Sequence, residues 1–370
     1  MSAMENVSAA KVKEPFVRLT KKENVSQLKA WGYRGIALVL GLIAVAVFMK
    51  IVIDVSPVEL YSTMIKGAFG NKIYLSSTLI YTAKLLCIAV ALAPAFKMRF
   101  WNIGAEGQLL AGGLATAIVM VYCSTALPAW LLFVVMIVAA VVAGALVGFL
   151  PALFKAKFNT NETLFTLMMN YVVIKLVDFF YDKWKGSASS LGKINRATKA
   201  GYLPELFGTD WALNTVVVLI LAVLVFLYLK KTKHGYEIAV VGESVNTARY
   251  AGINVNKVII RTMLMSGAIC GMCGFLTVAG QDHSISSGTT GGGYGFTAII
   301  VAWLAKFNTI QMVFISLFIV VLERGTNLIA NSNDAFDSSA SQIVIGIVLF
   351  FVIGAEFFIN YKLNFRKKNA

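Results

Sequence analysis

A chain of 370 residues that is 58% hydrophobic and only 14% charged is not an ordinary soluble domain, in which about a quarter of residues carry charge. Its net charge of +15 would suit a nucleic-acid binder, but its apolar runs have the length that crosses a hydrocarbon core, about twenty residues. The composition describes a polytopic membrane protein whose basic residues are held to one side.

Residues 1–32 are a polar, basic tail, expected to be flexible or to lie on the cytoplasmic surface. The apolar run 33–53 predicts the first span, and the tail before it is too long and polar for a secretory signal. A short polar link, 54–71, leads to a second span over 73–95 with Lys84 in its middle. The hydrophilic stretch 96–108 precedes a third span (109–122), and Ala, Val and Gly fill the fourth (128–150). A basic turn at 151–162 returns the chain to a more polar fifth span, 163–180. The outer loop 182–210, rich in glycine, serine and mixed charge, is expected to have little order of its own. Further spans follow at 212–229, 258–279, 294–305, 310–322 and 342–360, with an acidic link at 323–341 and a basic tail at 361–370.

The expected fold is therefore an all-α polytopic membrane protein of about ten transmembrane helices, in one membrane domain over 33–360. The second, fifth and eighth runs are where a broken or re-entrant helix is expected. Ten crossings place both termini on one side. That side then receives 21 of the 33 lysines and arginines, in the tails with the adjoining Arg34, in 96–104, 151–162 and 230–257, and at Lys306, against nine opposite. The bias sets both termini in the cytoplasm.

The cytoplasmic loop 230–257 holds the longest hydrophilic interruption of the second half, GYEIAVVGESVNTARYAG at 235–252. Anchored by a span at each end, it can transmit force to the membrane if a partner grips it. Helix formers fill 243–250, and Gly242 and Gly252 supply breaks, which predicts a short helix against the cytoplasmic face. A plain connecting loop is the alternative on composition.

Chemistry has few other places to sit. FKMRFWNIGAEGQ at 96–108 puts Arg99, Asn102, Glu106 and Gln108 beside Trp101, with Gly104 and Gly107 interrupting helix. Irregular backbone at membrane depth survives only when buried in protein or lining a water-filled cavity. This stretch is either a broken junction beside a solute path or a basic turn before a helix. Glu162, Thr166 and Asn170 recur at i, i+4 and i+8, a polar stripe that must face other helices or a cavity. Lys84 is expected to snorkel or to pair with Asp178 or Glu106. The glycine-rich run at 288–295 lacks the Lys-Ser/Thr of a phosphate loop, so no nucleotide site is expected. His234 and His283 fall on opposite sides of the membrane, against any histidine-based metal or catalytic cluster. Cys270 and Cys273 share one face of an apolar helix, as packing residues. The chain is expected to be no enzyme and to hold no cofactor of its own.

Four segments together resemble one family: FWNIGAEGQ at 100–108, NETLFTLMMNY at 161–171, GESVNTARYAGI at 242–253 and GGYGFTAI at 292–299. They resemble the permease subunits of bacterial ABC importers for simple sugars and nucleosides, a branched-chain amino acid-like group. The likeness covers roughly 73–359. NIGAEGQ is similar to the nucleoside branch, where the sugar branch tends to carry a GGIDLS-type sequence. The resemblance implies a plasma-membrane permease domain working by alternating access with a second permease subunit, itself or a paralogue. It also implies an ABC ATPase subunit that binds the ATP and an extracytoplasmic solute-binding lipoprotein, with membrane lipid around the spans and no nucleic acid. Within it, Trp101, Asn102, Glu106, Gln108, Asn170 and Phe296 are expected along the substrate pathway, Trp101 or Phe296 stacking on a base. Glu243, Ala248, Arg249 and Gly252 are expected to face the ATPase. The chain departs from the family in Thr247-Ala248 where an Ala-Ala pair is usual, in Trp101, and in its long basic tail. A sugar permease is the first alternative. An ion-coupled carrier, with Lys84 and Glu106 or Asp178 as its ionisable pair, is the second, and a membrane enzyme would need a catalytic constellation that the sequence lacks.

Overall fold

The computed structural model describes residues 17–22, 26–331 and 339–365, and these are overwhelmingly helical. Strand β1 (Val17–Lys21) is followed by α1 (Gln27–Ile53), α2 (Pro57–Phe69), α3 (Lys72–Lys97), α4 (Ala105–Cys123), α5 (Ala129–Phe158) and α6 (Glu162–Lys185). Then come α7 (Ala212–Lys231), α8 (Lys233–Glu243), α9 (Val245–Tyr250) and α10 (Val255–Thr277). Two π-helical turns, Val278–Asp282 and Ser287–Gly291, lead to α11 (Tyr294–Leu304), α12 (Thr309–Asn331), α13 (Ser339–Asn360) and strand β2 (Tyr361–Phe365). Many starts are written in the sequence. The side chains of Asn71, Asn161, Ser244 and Asn254 accept from N–H groups of the first turns of α3, α6, α9 and α10, the bonds that make Asn and Ser good N-caps.

The chain divides into two compact units, 1–64 with 326–370, and 65–325. In the first, α1 packs on α13. Arg34 pairs with Glu356 at 2.6 Å, and Gly41 lies against the backbone of Val348. Strands β1 and β2 are antiparallel neighbours, in register from Val17 opposite Phe365 to Lys21 opposite Tyr361. The expected tails thus contribute this strand pair; 1–16, 23–25 and 366–370 lie outside the described residues. The second unit is built on α10, which packs against α4 and α5 through small residues. A Cβ on Gly271 would sit 2.2 Å from the carbonyl oxygen of Ala140. Such backbone-to-backbone approach is how helices associate in lipid, where hydrophobic burial between them drives little.

Nine helices among the described residues are long and apolar enough to cross a membrane. Because β1 and β2 are hydrogen-bonded, the chain must cross an even number of times between them, and nine crossings do not suffice. The missing one is broken. Gly280 packs on Asn214 at the start of α7, whereas Lys306–Thr309 share a cavity with Phe226, Leu229 and Lys230 toward its end. The chain between them runs most of the depth of α7. Its helical part, α11, has 11 residues and a length of about 16 Å, roughly half a hydrocarbon core. The eighth span expected at 294–305 is therefore a half-helix entered through a π-turn and two glycines.

Three links differ from expectation. The polar link 54–71 contains α2, amphipathic and opened by Pro57, a residue whose fixed φ suits a first turn. The acidic link 323–341 begins as helix, since α12 runs on to Asn331; 332–338 lie outside the described residues. The loop after α6 is ordered by contacts rather than by its own periodicity. Ile194 and Leu203 donate N–H bonds to the carbonyls of His283 and Ala279, and Tyr202 stacks on His283 at 3.7 Å.

Candidate functional site

Helix α3 ends at Lys97, and Arg99 takes a left-handed conformation (φ 60°) that turns the chain back. From there to Ala105 the backbone is irregular, and side chains satisfy it. The amides of Asn102 and Gln108 bond each other in both directions at 3.2 Å, and the Asn102 oxygen also accepts from Gly104 N–H. From α6, Asn170 accepts from Gly107 N–H and donates to Ile103 C=O, both at 2.8 Å. Thr166 accepts from Ile103 N–H at 3.1 Å. The stripe Glu162, Thr166, Asn170 is thus the splint of the α3–α4 break. Glu162 itself pairs with Lys155 at 2.9 Å.

Glu106, in the first turn of α4, is the next link. Its Oε1 accepts from Gly293 N–H at 2.9 Å and its Oε2 from Gly295 N–H at 2.6 Å. The carboxylate therefore caps the half-helix α11, whose free N–H groups carry partial positive charge. Space is as exacting as charge. A Cβ on Gly291 would lie 2.4 Å from Oε1, and one on Gly295 2.6 Å from the Glu106 nitrogen. NIGAEGQ and GGYG, far apart in the sequence, are the two halves of one clamp. Lys84 completes it by donating to Thr289 C=O at 3.2 Å, with its ammonium 4.7 Å from the Tyr294 ring centre. The expected pairing with Asp178 or Glu106 is not formed; Asp178 pairs with Lys175 and accepts from Ser287, and the backbone N–H groups of α11 occupy Glu106.

The structure thus gathers Asn102, Glu106, Gln108 and Asn170 into one network, each at most 4% exposed. It leaves Trp101 and Phe296 on the surface of the chain, 42% and 45% exposed. Trp101 stacks on Trp303 with ring centres 5.1 Å apart.

The hydrophilic interruption folds as an elbow of two helices rather than one. The break falls at Ser244, extended (φ −157°, ψ 120°) and capping α9, and not at Gly242. Gly242 lies within α8 because its face is pressed on the end of α3: a Cβ there would be 2.1 Å from Lys97 C=O. Glu237 of α8 binds Arg261 of α10 at 2.8 Å, and that guanidinium holds the Glu237 carboxyl below the usual range. Gly252, at φ 76°, closes the elbow. Glu243, Arg249 and Gly252 are exposed, Tyr250 is 94% exposed, and neither Glu243 nor Arg249 has an ion pair among the described residues. Ala248 departs from expectation. It is fully buried, unlike Arg249 and Tyr250 beside it. A cavity of about 240 Å³ lies beneath, lined by Arg99, Phe100, Lys155, Glu243 and Val245 among others.

A further polar cluster escaped the sequence reading. Glu323 and Arg324, assigned there to a loop, lie inside α12. Tyr294 donates to Glu323 Oε1 at 2.6 Å, and Arg324 Nη2 lies 3.6 Å from the same oxygen. The guanidinium sits 3.4 Å over the centre of the Tyr81 ring, which in turn stacks on Tyr294. Among the described residues no group of three or more His, Cys, Asp and Glu is placed to hold a metal.

A bundle with a broken crossing clamped at mid-depth, and with an exposed helical elbow tied to its spans, has the architecture of a multi-pass membrane transport protein. The chain belongs to the family of permease components of branched-chain amino acid transport systems, which matches residues 74–353. It is 31% identical to the guanosine ABC transporter permease protein NupP of Bacillus subtilis (strain 168), over 86% of this chain and 91% of that one. It is 30% identical to the glucose ABC transporter permease protein TsgB13 of Haloferax volcanii, over 88% of each. The nucleoside ABC transporter permease protein NupB of Lactococcus lactis is 26% identical, over 86% and 89%.

Proposed function

We propose that this chain is the membrane-spanning subunit of an ABC importer that takes up nucleosides by alternating access. A separate ATPase subunit supplies the energy and an extracytoplasmic binding protein delivers the solute. The observation that carries the reading is the α8–α9 elbow. It presents charged, unpaired side chains while its back is pressed on α3 and bound to α10, so a partner's push reaches two spans directly. Similarity to proteins named for guanosine and nucleosides favours a nucleoside solute. The positive-inside count sets the elbow, and both termini, on the cytoplasmic side, where ATP is.

Similarity to proteins named for glucose and fructose supports a second reading, a simple-sugar importer of the same architecture. Uptake of radiolabelled uridine, guanosine and ribose separates the two, in cells lacking this chain and complemented with wild type or with a Glu243→Ala/Arg249→Ala copy. Nucleoside uptake restored by wild type alone, at equal membrane abundance, is the expected result. Restoration of ribose uptake only would move the protein to sugars. Nucleoside uptake that survives ATP depletion but collapses with the proton gradient would replace the ABC reading by an ion-coupled carrier.

A further inference from the structure

We infer that Tyr81, Tyr294, Glu323 and Arg324, with Lys84 behind them, form an intramembrane recognition site for a ribonucleoside. Glu323 and Arg324 would bind its ribose hydroxyls, and the tyrosine–guanidinium stack its flat base. The inference rests on the nucleoside reading above and assigns the solute to residues other than the six expected from the sequence.

Three observations converge. First, position: Lys84 lies near the middle of α3, and Glu323 and Arg324 lie within α12, both of them membrane-crossing helices. Ionisable groups there are costly and mark solute paths. Second, unused bonding capacity: Tyr294 and Arg324 both converge on Oε1 of Glu323, while Oε2 accepts no hydrogen bond among the described residues. The Nε–H of Arg324 is buried and has no partner. Glu106 differs, since both its oxygens are held by α11. It could meet a solute only by releasing the half-helix. Third, access: the side chains of Glu323 and Arg324 retain 17% and 21% exposure, so the cluster is not sealed.

The chemistry fits a vicinal diol joined to a planar base. A carboxylate oxygen with free lone pairs accepts from two neighbouring hydroxyls, and a guanidinium donates to their oxygens or to a base carbonyl. Planar guanidinium and phenol faces stack on a nucleobase whatever its identity.

The test is competition between uridine and 2′-deoxyuridine in the complemented cells, measuring KM for each at verified membrane abundance. A site built to bond a hydroxyl rejects an analogue that lacks it, so wild type should prefer uridine by roughly tenfold or more. Glu323→Gln should raise the uridine KM and shrink that ratio toward one, because it weakens the diol contact alone. Tyr81→Leu should raise both KM values together and leave the ratio intact. The ratio does not depend on how much protein is present. Arg324→Lys, which should also shrink it, substitutes wherever the Gln variant lowers abundance. A ratio unchanged in both charge variants would overturn the site while leaving nucleoside import standing. Absence of any uridine uptake with wild type would instead overturn the importer reading, and this inference with it.

Discussion

The α3–α4 junction and the α8–α9 elbow are both polar interruptions of an apolar chain, and both carry family-like motifs. They differ in how their polar groups are satisfied. At the junction, Asn102, Gln108, Asn170 and Glu106 are buried, and each bonds another member or the irregular backbone beside it. At the elbow, the side chains of Glu243 and Arg249 are exposed and make no hydrogen bond or ion pair among the described residues, while Ser244, Gly242 and Ala248 hold the backbone in place. A closed network fixes architecture; an open set on a rigid support is available to a partner. Motif likeness alone does not separate these roles.

The contrast predicts a graded response. Glu106→Ala should be the most damaging change, leaving the Gly293 and Gly295 N–H groups of α11 without their acceptors at membrane depth. A loss of about 3 kcal/mol or more is expected from two such orphaned donors, read as a large fall in melting temperature of the detergent-solubilised protein. A wild-type melting temperature would show that the clamp is not structural. Asn170→Leu should cost about 2 kcal/mol by freeing Gly107 N–H and Ile103 C=O; stability within error of wild type would mean that water replaces the splint. Acid should act weakly and locally. The Glu237 carboxyl is held low by Arg261, so its contribution is fully present above the unfolded carboxylate value of about 4.3 and disappears as pH falls through its lower folded value. The pair lies near the surface, so under about 1 kcal/mol is at stake. Hydrogen exchange of α8 should quicken below about pH 4, and Glu237→Gln should abolish that dependence. Smallest in stability, and largest in function, is Glu243→Ala/Arg249→Ala. Its melting temperature should match wild type to within about 0.5 kcal/mol while uptake is lost. A destabilised double variant would place the elbow with the junction, as architecture.

Much of this was legible in the residues. Apolar runs of membrane length gave the spans, and glycines among Asn, Glu and Gln marked a broken junction. That Asn170 belongs to the junction followed only as a polar stripe in need of company. What the sequence could not show was which stripe meets which gap, since that is settled by helix packing across long separations. Glu323 and Arg324 read as part of a link in the sequence because charge in the middle of a span is rare; the ring of Tyr81 and the hydroxyl of Tyr294 make it tolerable inside α12. The order of the loop after α6 was invisible for a similar reason, since besides its own turns it is tied to Ala279 and His283 at the π-turn that follows α10. The elbow's break at Ser244 was missed because Gly242 looks like the better breaker. Its missing side chain is needed for contact with α3, not for a turn.

The pairing of β1 with β2 has a consequence for how the protein is made. Lys21 waits for Tyr361, so some 340 residues must leave the ribosome first, about 20–70 s at ~5–20 residues per second. During that interval α1 is in the bilayer without α13, its partner in the finished unit, and the face at Gly41 that packs on Val348 and Phe351 is uncovered. The first helix inserted is thus among the last to be locked. A nascent chain halted before α13 would carry a 65–325 unit already synthesised and a first helix without its partner, the kind of half-assembled state that membrane quality control can recognise.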